Sequence, residues 1–249
     1  MAVKPLQTLA RALDVIEAVA AHQPVGVAEL ARATGEDKSA LQRVLVTLHA
    51  SGWIRPAPGG APTRWELTTR PLVVAAQARR RDGLLARARP VLEALRDATG
   101  ETAILAVPDS GRIVAVDVAE SPELVRTAPR VGLLFPPATS AAGLALCAAA
   151  PEADWELTGL DPDDAVFRRE LADTRNRGWS LNAGAVDSSA TSVGAAVRDA
   201  GGRPVAALVV SGPSGRFGAE VYTRAGSLTV AAAHRLGEFR DDDAFGNVG

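Results

Sequence analysis

The segment from residue 38 to residue 47 combines an apolar face with side chains that donate and accept hydrogen bonds. With about 100° per residue along a helix, one face holds Leu41, Val44, Leu45 and Leu48. The opposite face holds Lys38, Ser39, Gln42, Arg43, Val46 and Thr47. Arginine can pair with guanine or neutralise a phosphate, glutamine can pair with adenine, and lysine and serine near a helix start suit backbone contacts. This spacing predicts a helix that reads the major groove of DNA, although a merely solvated helix would show the same polarity.

Catalysis needs an activated nucleophile, an acid and base pair or a metal site, and the sequence shows none of these patterns. The run "GPSG" at residues 212–215 lacks the G-x-S-x-G spacing of a nucleophile elbow. His22, His49 and His234 are scattered and fit surface or cap positions. No glycine-rich phosphate loop or zinc-ligand spacing is present, and the single cysteine, Cys147, lies in an apolar run typical of packing. We therefore expect a protein that is not an enzyme and needs no cofactor or metal.

Two more helices are expected in front of the 38–47 segment. Residues 8–20 and the residues that follow Val27 place apolar side chains at helical spacing. Gly35 permits the positive φ of a tight turn, and the third helix is expected from about residue 37 to residue 50. The first part of the chain therefore contains two helices, a turn and the helix that carries the hydrogen-bonding face.

A hairpin is expected after the third helix. Strand-like pieces at residues 53–54 and 65–67 flank a tip rich in proline and glycine. Arg64 lies beside this tip, where it could hold a phosphate across the minor groove. The order helix, helix, turn, helix, hairpin suits a DNA-binding helix-turn-helix.

The rest of the chain changes from helical to strand periodicity. A mostly helical connector runs to about residue 98, weakened at Gly83 and expected to restart at Pro90, because proline is tolerated in the first turn of a helix. From Glu101 onward, strand pairs surround hairpin signals at residues 108–111 and 200–202. Helical stretches are expected at about 139–150, 163–177 and 221–236.

The composition is that of a folded protein, with 47% hydrophobic and 22% charged residues. No apolar run of membrane-spanning length and no secretory signal pattern occurs, so the cytoplasm is the expected location. The formal charge of −2 divides unevenly, because residues 1–90 hold 13 Lys and Arg against 7 Asp and Glu. A positive first part suits a polyanion, whereas the acidic remainder suits contacts with other molecules.

The chain also resembles a known family. The segments "LARALDVIEAV", "VAELARATGEDKSALQRVLVTLHASGWI" and "RWELT" are similar to the winged helix-turn-helix of the IclR family of bacterial transcriptional regulators. Later segments agree in the family's order, namely "ATGETAILAV", "PPATSAAGLALCA", "RNRGWSLN", "SVGAAVRDAGGRPVAALVVSGPSGRF" and "AHRLGEF". The resemblance spans roughly residues 6–240.

The resemblance implies an α+β fold in two functional parts. A winged helix-turn-helix DNA-binding domain is expected at residues 1–70, and a linker helix at residues 71–98. A GAF-like α/β domain with a mostly antiparallel sheet, for effector binding and oligomerisation, is expected at residues 99–240, followed by a disordered acidic tail at residues 241–249. The expected partners are double-stranded operator DNA, a small organic effector and further copies of the chain, as a homodimer or a dimer of dimers.

By the same resemblance, the effector-binding residues can be carried over motif by motif. They are Ser140, Ala141, Ala142, Asn182, Ser192 and Ser211. Small residues at 140–142 would let a ligand approach backbone N–H groups at a helix start, where the helix dipole favours a carboxylate or carbonyl oxygen. Close packing of a helix on a sheet is an alternative explanation for their small size.

Several positions depart from the family pattern. Leu144 stands where many members have lysine, and the usual acidic residue is Asn182. Gly184 and Ala185 replace glutamates, and Val209 replaces a serine. Because an unpaired buried charge costs several kcal/mol, such a pocket is expected to favour a mostly neutral or aromatic molecule over a small dicarboxylate or keto acid.

Two functions therefore stay open at the level of the sequence. The first is a ligand-responsive transcriptional regulator, most simply a repressor of a catabolic operon. The alternative is a protein-protein interaction module, in which the winged helix pairs proteins and the second domain dimerises without a ligand.

Overall fold

The structure is a computed structural model that describes residues 6–59, 61–81, 83–152, 160 and 163–238, with the backbone alone for residues 78–81. The chain divides into two compact units, residues 1–81 and residues 82–249. Each unit has an apolar core of its own.

The first unit is built from helices and a small antiparallel sheet. Its elements are α1 (Gln7–His22), β1 (Val25–Gly26), α2 (Val27–Thr34), α3 (Lys38–Ala50), β2 (Ile54–Pro56), β3 (Arg64–Leu67) and α4 (Arg70–Arg81). The three strands lie in the order β1-β3-β2. The predicted order of helix, helix, turn, helix and hairpin is confirmed. Strand β1 was not predicted, because two residues are too few to show an alternating pattern.

The turn between α2 and α3 follows from two local preferences. Gly35 ends α2 with a φ of 70°, in the left-handed region that glycine adopts without a steric cost. The carboxylate of Asp37 then accepts hydrogen bonds from the backbone N–H groups of Ser39, at 2.8 Å, and Ala40, at 3.1 Å. These donors have no partner inside the helix, so Asp37 fixes where α3 begins.

The core of the first unit confirms the predicted apolar face of α3. Leu41 and Leu45 are each 1% exposed, and Leu48 is 6% exposed. They pack with buried side chains of α1, β1, α2 and β2, namely Val15, Val19, Val25, Leu30 and Ile54. Burial of this face leaves the opposite face of α3 directed out of the unit's core.

The helical connector consists of two helices that belong to different units. Helix α4 closes the first unit, and α5 (Gly83–Thr99) begins the second. The expected restart at Pro90 is wrong, because Pro90 lies inside α5. Ala88, Leu92 and Leu95 bury one side of α5 in the core of the second unit, and this packing outweighs the local cost of the proline.

The second unit is a six-stranded sheet with helices on both faces. After α5 its elements are β4 (Thr102–Asp109), β5 (Arg112–Ala119), β6 (Leu134–Phe135), α6 (Ala141–Ala149), α7 (Ala165–Arg177), β7 (Ser180–Ala183), β8 (Ala190–Arg198), β9 (Pro204–Pro213) and α8 (Ala219–Glu238). The strand order is β6-β5-β4-β9-β8-β7, and every neighbouring pair is antiparallel. The predicted antiparallel sheet is confirmed, whereas the short strands β6 and β7 were not predicted.

Alternating side chains of the central strands divide the core of the second unit into two layers. On β9, Leu208 and Val210 join the cluster that contains α5 and α8, whereas Ala207 and Val209 join the cluster that contains α6. This division follows from the two-residue period of a strand. Helix α6 in turn packs on α7 through Leu144. The expected acidic tail at residues 241–249 lies outside the described residues.

Candidate functional site

The outward face of α3 is the first candidate site. All five of its predicted DNA contacts, Lys38, Ser39, Gln42, Arg43 and Thr47, are exposed in the structure of the first unit. They occupy one side of a helix whose other side is buried, so they are presented together. The geometry therefore keeps this face available within the first unit.

The hydrogen bonds of these five residues divide them into two groups. The hydroxyl of Ser39 donates to Asp37 at 3.2 Å, and the hydroxyl of Thr47 donates to the carbonyl oxygen of Arg43 at 2.9 Å. The side chains of Lys38, Gln42 and Arg43 form no hydrogen bond or ion pair within the described residues. These three long side chains are the ones free to bind an external acceptor or donor.

Arg64 is less available than the sequence suggested. Its guanidinium lies 2.8 Å from the carboxylate of Glu29 and donates two hydrogen bonds to the carbonyl oxygen of Pro24, at 2.9 Å and 2.6 Å. Glu29 also accepts a hydrogen bond from the backbone N–H of Gly26. This hydrogen bond, together with Arg64, holds the pKa of Glu29 below its ordinary value. Arg64 therefore links β3 to α2 and to the loop between α1 and β1. Its guanidinium is already bound, so it is not free to bind DNA.

The second candidate site is a cavity in the second unit, with a volume of about 610 Å³. It lies where the first residues of α6 meet the central strands, and the loop at residues 125–129 forms another wall. Ile104, Ala142 and Val209 line it and are at most 2% exposed. A cavity of this size and lining suits a small organic molecule.

A few polar groups converge on this apolar lining. The Ser140 hydroxyl caps α6 by accepting from the backbone N–H of Gly143 at 3.0 Å. The N–H groups of Ala141 and Ala142 have no hydrogen-bond partner within the described residues, so they remain free at the positive end of the helix. The Asn182 side chain donates to the carbonyl oxygen of Thr139 at 2.5 Å, which orients it beside the same helix start.

All six residues expected to bind the effector line this cavity. They are Ser140, Ala141, Ala142, Asn182, Ser192 and Ser211. The structure brings them together from α6 and three strands that are far apart in sequence. Whether they bind a ligand stays a prediction.

Charged side chains occur only at the rim of the cavity among its described lining residues. These are Arg126 and Asp187, and both are exposed. Arg126 pairs with Glu120 at 3.0 Å. The side-chain and backbone hydrogen bonds from Ser189 hold the pKa of Asp187 below its ordinary value. The buried part of the lining is therefore uncharged.

Only some of the residues that depart from the family pattern line the cavity. Asn182 and Val209 line the cavity, as predicted from the sequence. Leu144 does not, because it packs on the α7 side of α6 with Cys147, Phe167 and Leu171. Gly184 and Ala185 are also absent from the lining. Of these departures, only those at Asn182 and Val209 therefore contribute to the uncharged lining.

The loop at residues 125–129 was not predicted from the sequence to belong to the site. It is part of the connection between β5 and β6, has no regular secondary structure and therefore shows no periodic pattern. Only its position over the ends of β4 and β9 makes it part of the site.

Within the described residues, no cluster of three or more His, Cys, Asp or Glu side chains could hold a metal ion. No described helix is long and apolar enough to cross a membrane.

A helix-turn-helix unit followed by an antiparallel-sheet unit with a ligand-sized cavity is the arrangement of a bacterial transcriptional regulator. Residues 8–58 match the family profile described as IclR helix-turn-helix domain, and residues 76–236 match that described as Bacterial transcriptional regulator IclR C-terminal. The chain belongs to the IclR family of bacterial transcriptional regulators. Members of this family are DNA-binding transcription regulators and not enzymes, as expected from the sequence.

Similar proteins cover almost the whole chain. The HTH-type transcriptional regulator BhcR of Paracoccus denitrificans is 29% identical over an alignment of 251 positions, gaps included, that covers 93% of this chain and 86% of that protein. The acetate operon repressor of Salmonella typhimurium is 27% identical over an alignment of 247 positions, gaps included, that covers 93% of this chain and 89% of that protein. Among solved structures, an IclR homologue from Microbacterium hydrocarbonoxydans in complex with 4-hydroxybenzoate has a TM-score of 0.76 at 22% identity, covering 92% of this chain and 97% of that one. This last likeness shows the shared fold.

Proposed function

We propose that this protein is a ligand-responsive repressor of a catabolic operon that binds operator DNA through α3. The free side chains of Lys38, Gln42 and Arg43 on the exposed face of α3 carry this proposal. A lysine or arginine there neutralises phosphate, and arginine and glutamine can read base edges in the major groove. The acetate operon repressor of Salmonella typhimurium, which is similar over most of the chain, supports the repressor role.

The proposed effector is a small, mostly neutral or aromatic organic molecule bound in the cavity of the second unit. The buried lining is apolar apart from hydroxyl and amide groups, so a molecule with one oxygen-bearing group and an apolar body fits best. The free N–H groups of Ala141 and Ala142 would bind the oxygen-bearing group. A small keto acid or dicarboxylate would leave most of the apolar wall uncovered.

Assembly into a homodimer or a dimer of dimers is part of the proposal. Leu6, Leu9 and Leu13 form an exposed apolar stripe along α1, with 74%, 58% and 54% of their surface accessible. A stripe of this kind suits a helix that packs against another copy. The proposed location of such a regulator is the cytoplasm, where its operator is.

A salt titration of DNA binding tests the first part. The sites bound in the source genome are mapped first, and the affinity for one of them is then measured at several salt concentrations. Phosphate contacts predict a straight line of negative slope in log-log form, with about −0.9 for each phosphate neutralised. The alternative, a protein-protein interaction module, predicts no specific DNA site and no measurable binding, and that result would reject the proposal.

A ligand titration tests the second part. The full chain is titrated with 4-hydroxybenzoate and with pyruvate, and the proposal expects tighter binding of the aromatic compound. The bound compound must also change the affinity for the operator fragment, and DNA must change the affinity for the compound by the same factor. Preferential binding of pyruvate would contradict the proposed class of effector.

A further inference from the structure

The loop that covers the proposed effector cavity is fastened at several points. We call residues 121–129 the strap; its residues 125–129 line the cavity. The Thr127 hydroxyl donates to the carbonyl oxygen of Ser211 at 2.8 Å, and the Thr102 hydroxyl donates to the carbonyl oxygen of Thr127 at 2.6 Å. These hydrogen bonds join the strap to β9 and β4, two of the strands that line the cavity.

An ion pair between a buried carboxylate and a partly exposed guanidinium provides a further fastening. Arg216 donates from Nε to Glu101 Oε1 at 2.6 Å and from Nη2 to Oε2 at 2.9 Å. Its Nη1 donates to the carbonyl oxygen of Val125 in the strap, at 2.6 Å. The Glu101 side chain is 6% exposed and that of Arg216 is 37% exposed. One guanidinium therefore binds a buried carboxylate and the strap backbone at the same time.

Strand β9 leaves room for this ion pair because it has glycine at position 212. A Cβ atom added at Gly212 would lie 2.6 Å from the carboxyl carbon of Glu101. Any larger residue at 212 would push the carboxylate away from Arg216. Glycine at this position is explained by the ion pair, since no positive φ requires it.

We propose that Glu101 and Arg216 are positioning residues that hold the strap against the effector cavity and so set its closed shape. The inference rests on the proposed function, because it concerns the same cavity. A bidentate guanidinium is planar and directional, so it fixes the position of the Val125 carbonyl more firmly than a lysine would. Neither residue needs to touch the effector.

The test measures opening of the strap without an effector. In the full chain, Ser211→Cys places a thiol in the cavity, beside the Ser211 carbonyl that Thr127 binds, and its alkylation by iodoacetamide reports how often the cavity opens. Cys147 is the built-in control. It is 1% exposed and burial raises its pKa to about 12, so the chain without the added cysteine is expected to react very slowly.

Three changes are compared in this background. Arg216→Gln breaks the pair but leaves Glu101 charged and buried, so Glu101→Gln with Arg216→Gln is made as well to remove both charges. Arg216→Lys keeps the positive charge but lacks the planar guanidinium that makes two hydrogen bonds to Glu101. The matched control is Arg168→Gln, which removes an arginine of α7 that pairs with Glu152 and Asp163.

We expect alkylation to become at least about tenfold faster in Arg216→Gln and in the double variant, intermediate in Arg216→Lys and unchanged in Arg168→Gln. Circular dichroism checks that each variant is folded. Rates within a factor of two of the parent in folded variants would overturn the inference. Loss of fold in all three pair variants would also overturn it, because the pair would then support the whole unit rather than the strap.

Titration with 4-hydroxybenzoate separates this inference from the proposed function. The compound is expected to bind the chain with serine at 211 about tenfold more weakly when Arg216→Gln is present. Faster alkylation without binding to either chain would reject the aromatic effector and keep the inference. Equal binding to both chains together with unchanged alkylation would reject the inference alone.

Discussion

The hydroxyl of Ser192 donates a hydrogen bond of 2.9 Å to the hydroxyl oxygen of Ser211, its cross-strand partner on β9. The proton of Ser211 has no acceptor within the described residues, and Ser211 is only 7% exposed. A buried hydroxyl with an unused proton beside an apolar cavity is suited to donate to an oxygen atom of a ligand. The hydrogen bond from Ser192 therefore sets the rotamer of Ser211. The free proton of Ser211 would in turn orient a bound ligand by its oxygen atom.

The first prediction concerns this pair. Ser211→Ala should weaken binding of 4-hydroxybenzoate by about tenfold, because the ligand loses a buried donor. Ser192→Ala should have a smaller effect, since it removes only the orienting bond. Calorimetry of the full chain measures both, with Ser227→Ala as the control because the Ser227 hydroxyl binds its own helix. Equal affinities for all three variants would exclude a role for the pair.

The second prediction concerns Arg43. Arg43→Ala should reduce the preference for the operator over random DNA by about 1–3 kcal/mol, if the side chain pairs with a base. The thermal midpoint should change little and binding of 4-hydroxybenzoate should not change, because Arg43 is exposed and forms no hydrogen bond or ion pair within the described residues. Competition binding with operator and random fragments measures the preference. A uniform loss on both fragments would instead indicate a phosphate contact.

The third prediction concerns Arg64. Arg64→Ala should lower the thermal midpoint, because Glu29 and the Pro24 carbonyl lose their bonds to the guanidinium. It should leave the salt slope of DNA binding close to that of the unmodified chain, since the guanidinium is already occupied. Thermal unfolding and the salt titration are run on the same preparation. A slope reduced by about one unit would show that Arg64 leaves Glu29 to bind phosphate.

The fourth prediction concerns the pH dependence that Asp37 imposes on the first unit. Hydrogen bonds from the backbone N–H groups of Ser39 and Ala40 hold the pKa of Asp37 below its ordinary value of 3.8. Its stabilisation of α3 is therefore complete above about pH 3.8 and is lost as the pH falls through the lowered pKa.

Acid titration of two variants checks this prediction. Asp37→Asn keeps a capping oxygen without a charge, so it should show less loss of helix than the unmodified chain over the acidic range. Asp37→Ala should be less stable than both at neutral pH. Circular dichroism at 222 nm follows the transition, and identical acid transitions for aspartate and asparagine would disprove the assignment.

The local elements could be predicted from the sequence with good accuracy because their signals are local. Helical spacing of the leucines, Gly35 and Asp37 are enough to define α2, α3 and the turn between them. The long strands of the second unit follow from β-rich runs between turn residues. The short strands β1, β6 and β7 and the continuation of α5 through Pro90 depend instead on pairing or packing with distant segments, which no local pattern records.

The sequence by itself determined the two-part organisation and the outward face of α3, since these follow from residue order and periodicity. The resemblance of its segments to known sequences also indicated the family. The tertiary structure alone decided which side chains are free. In the folded chain Arg64 pairs with Glu29, and Leu144 packs on α7 and not in the cavity. The strap lines the cavity. The physical reason is that a hydrogen bond or an ion pair between residues far apart in the chain depends on where the folded backbone brings them together.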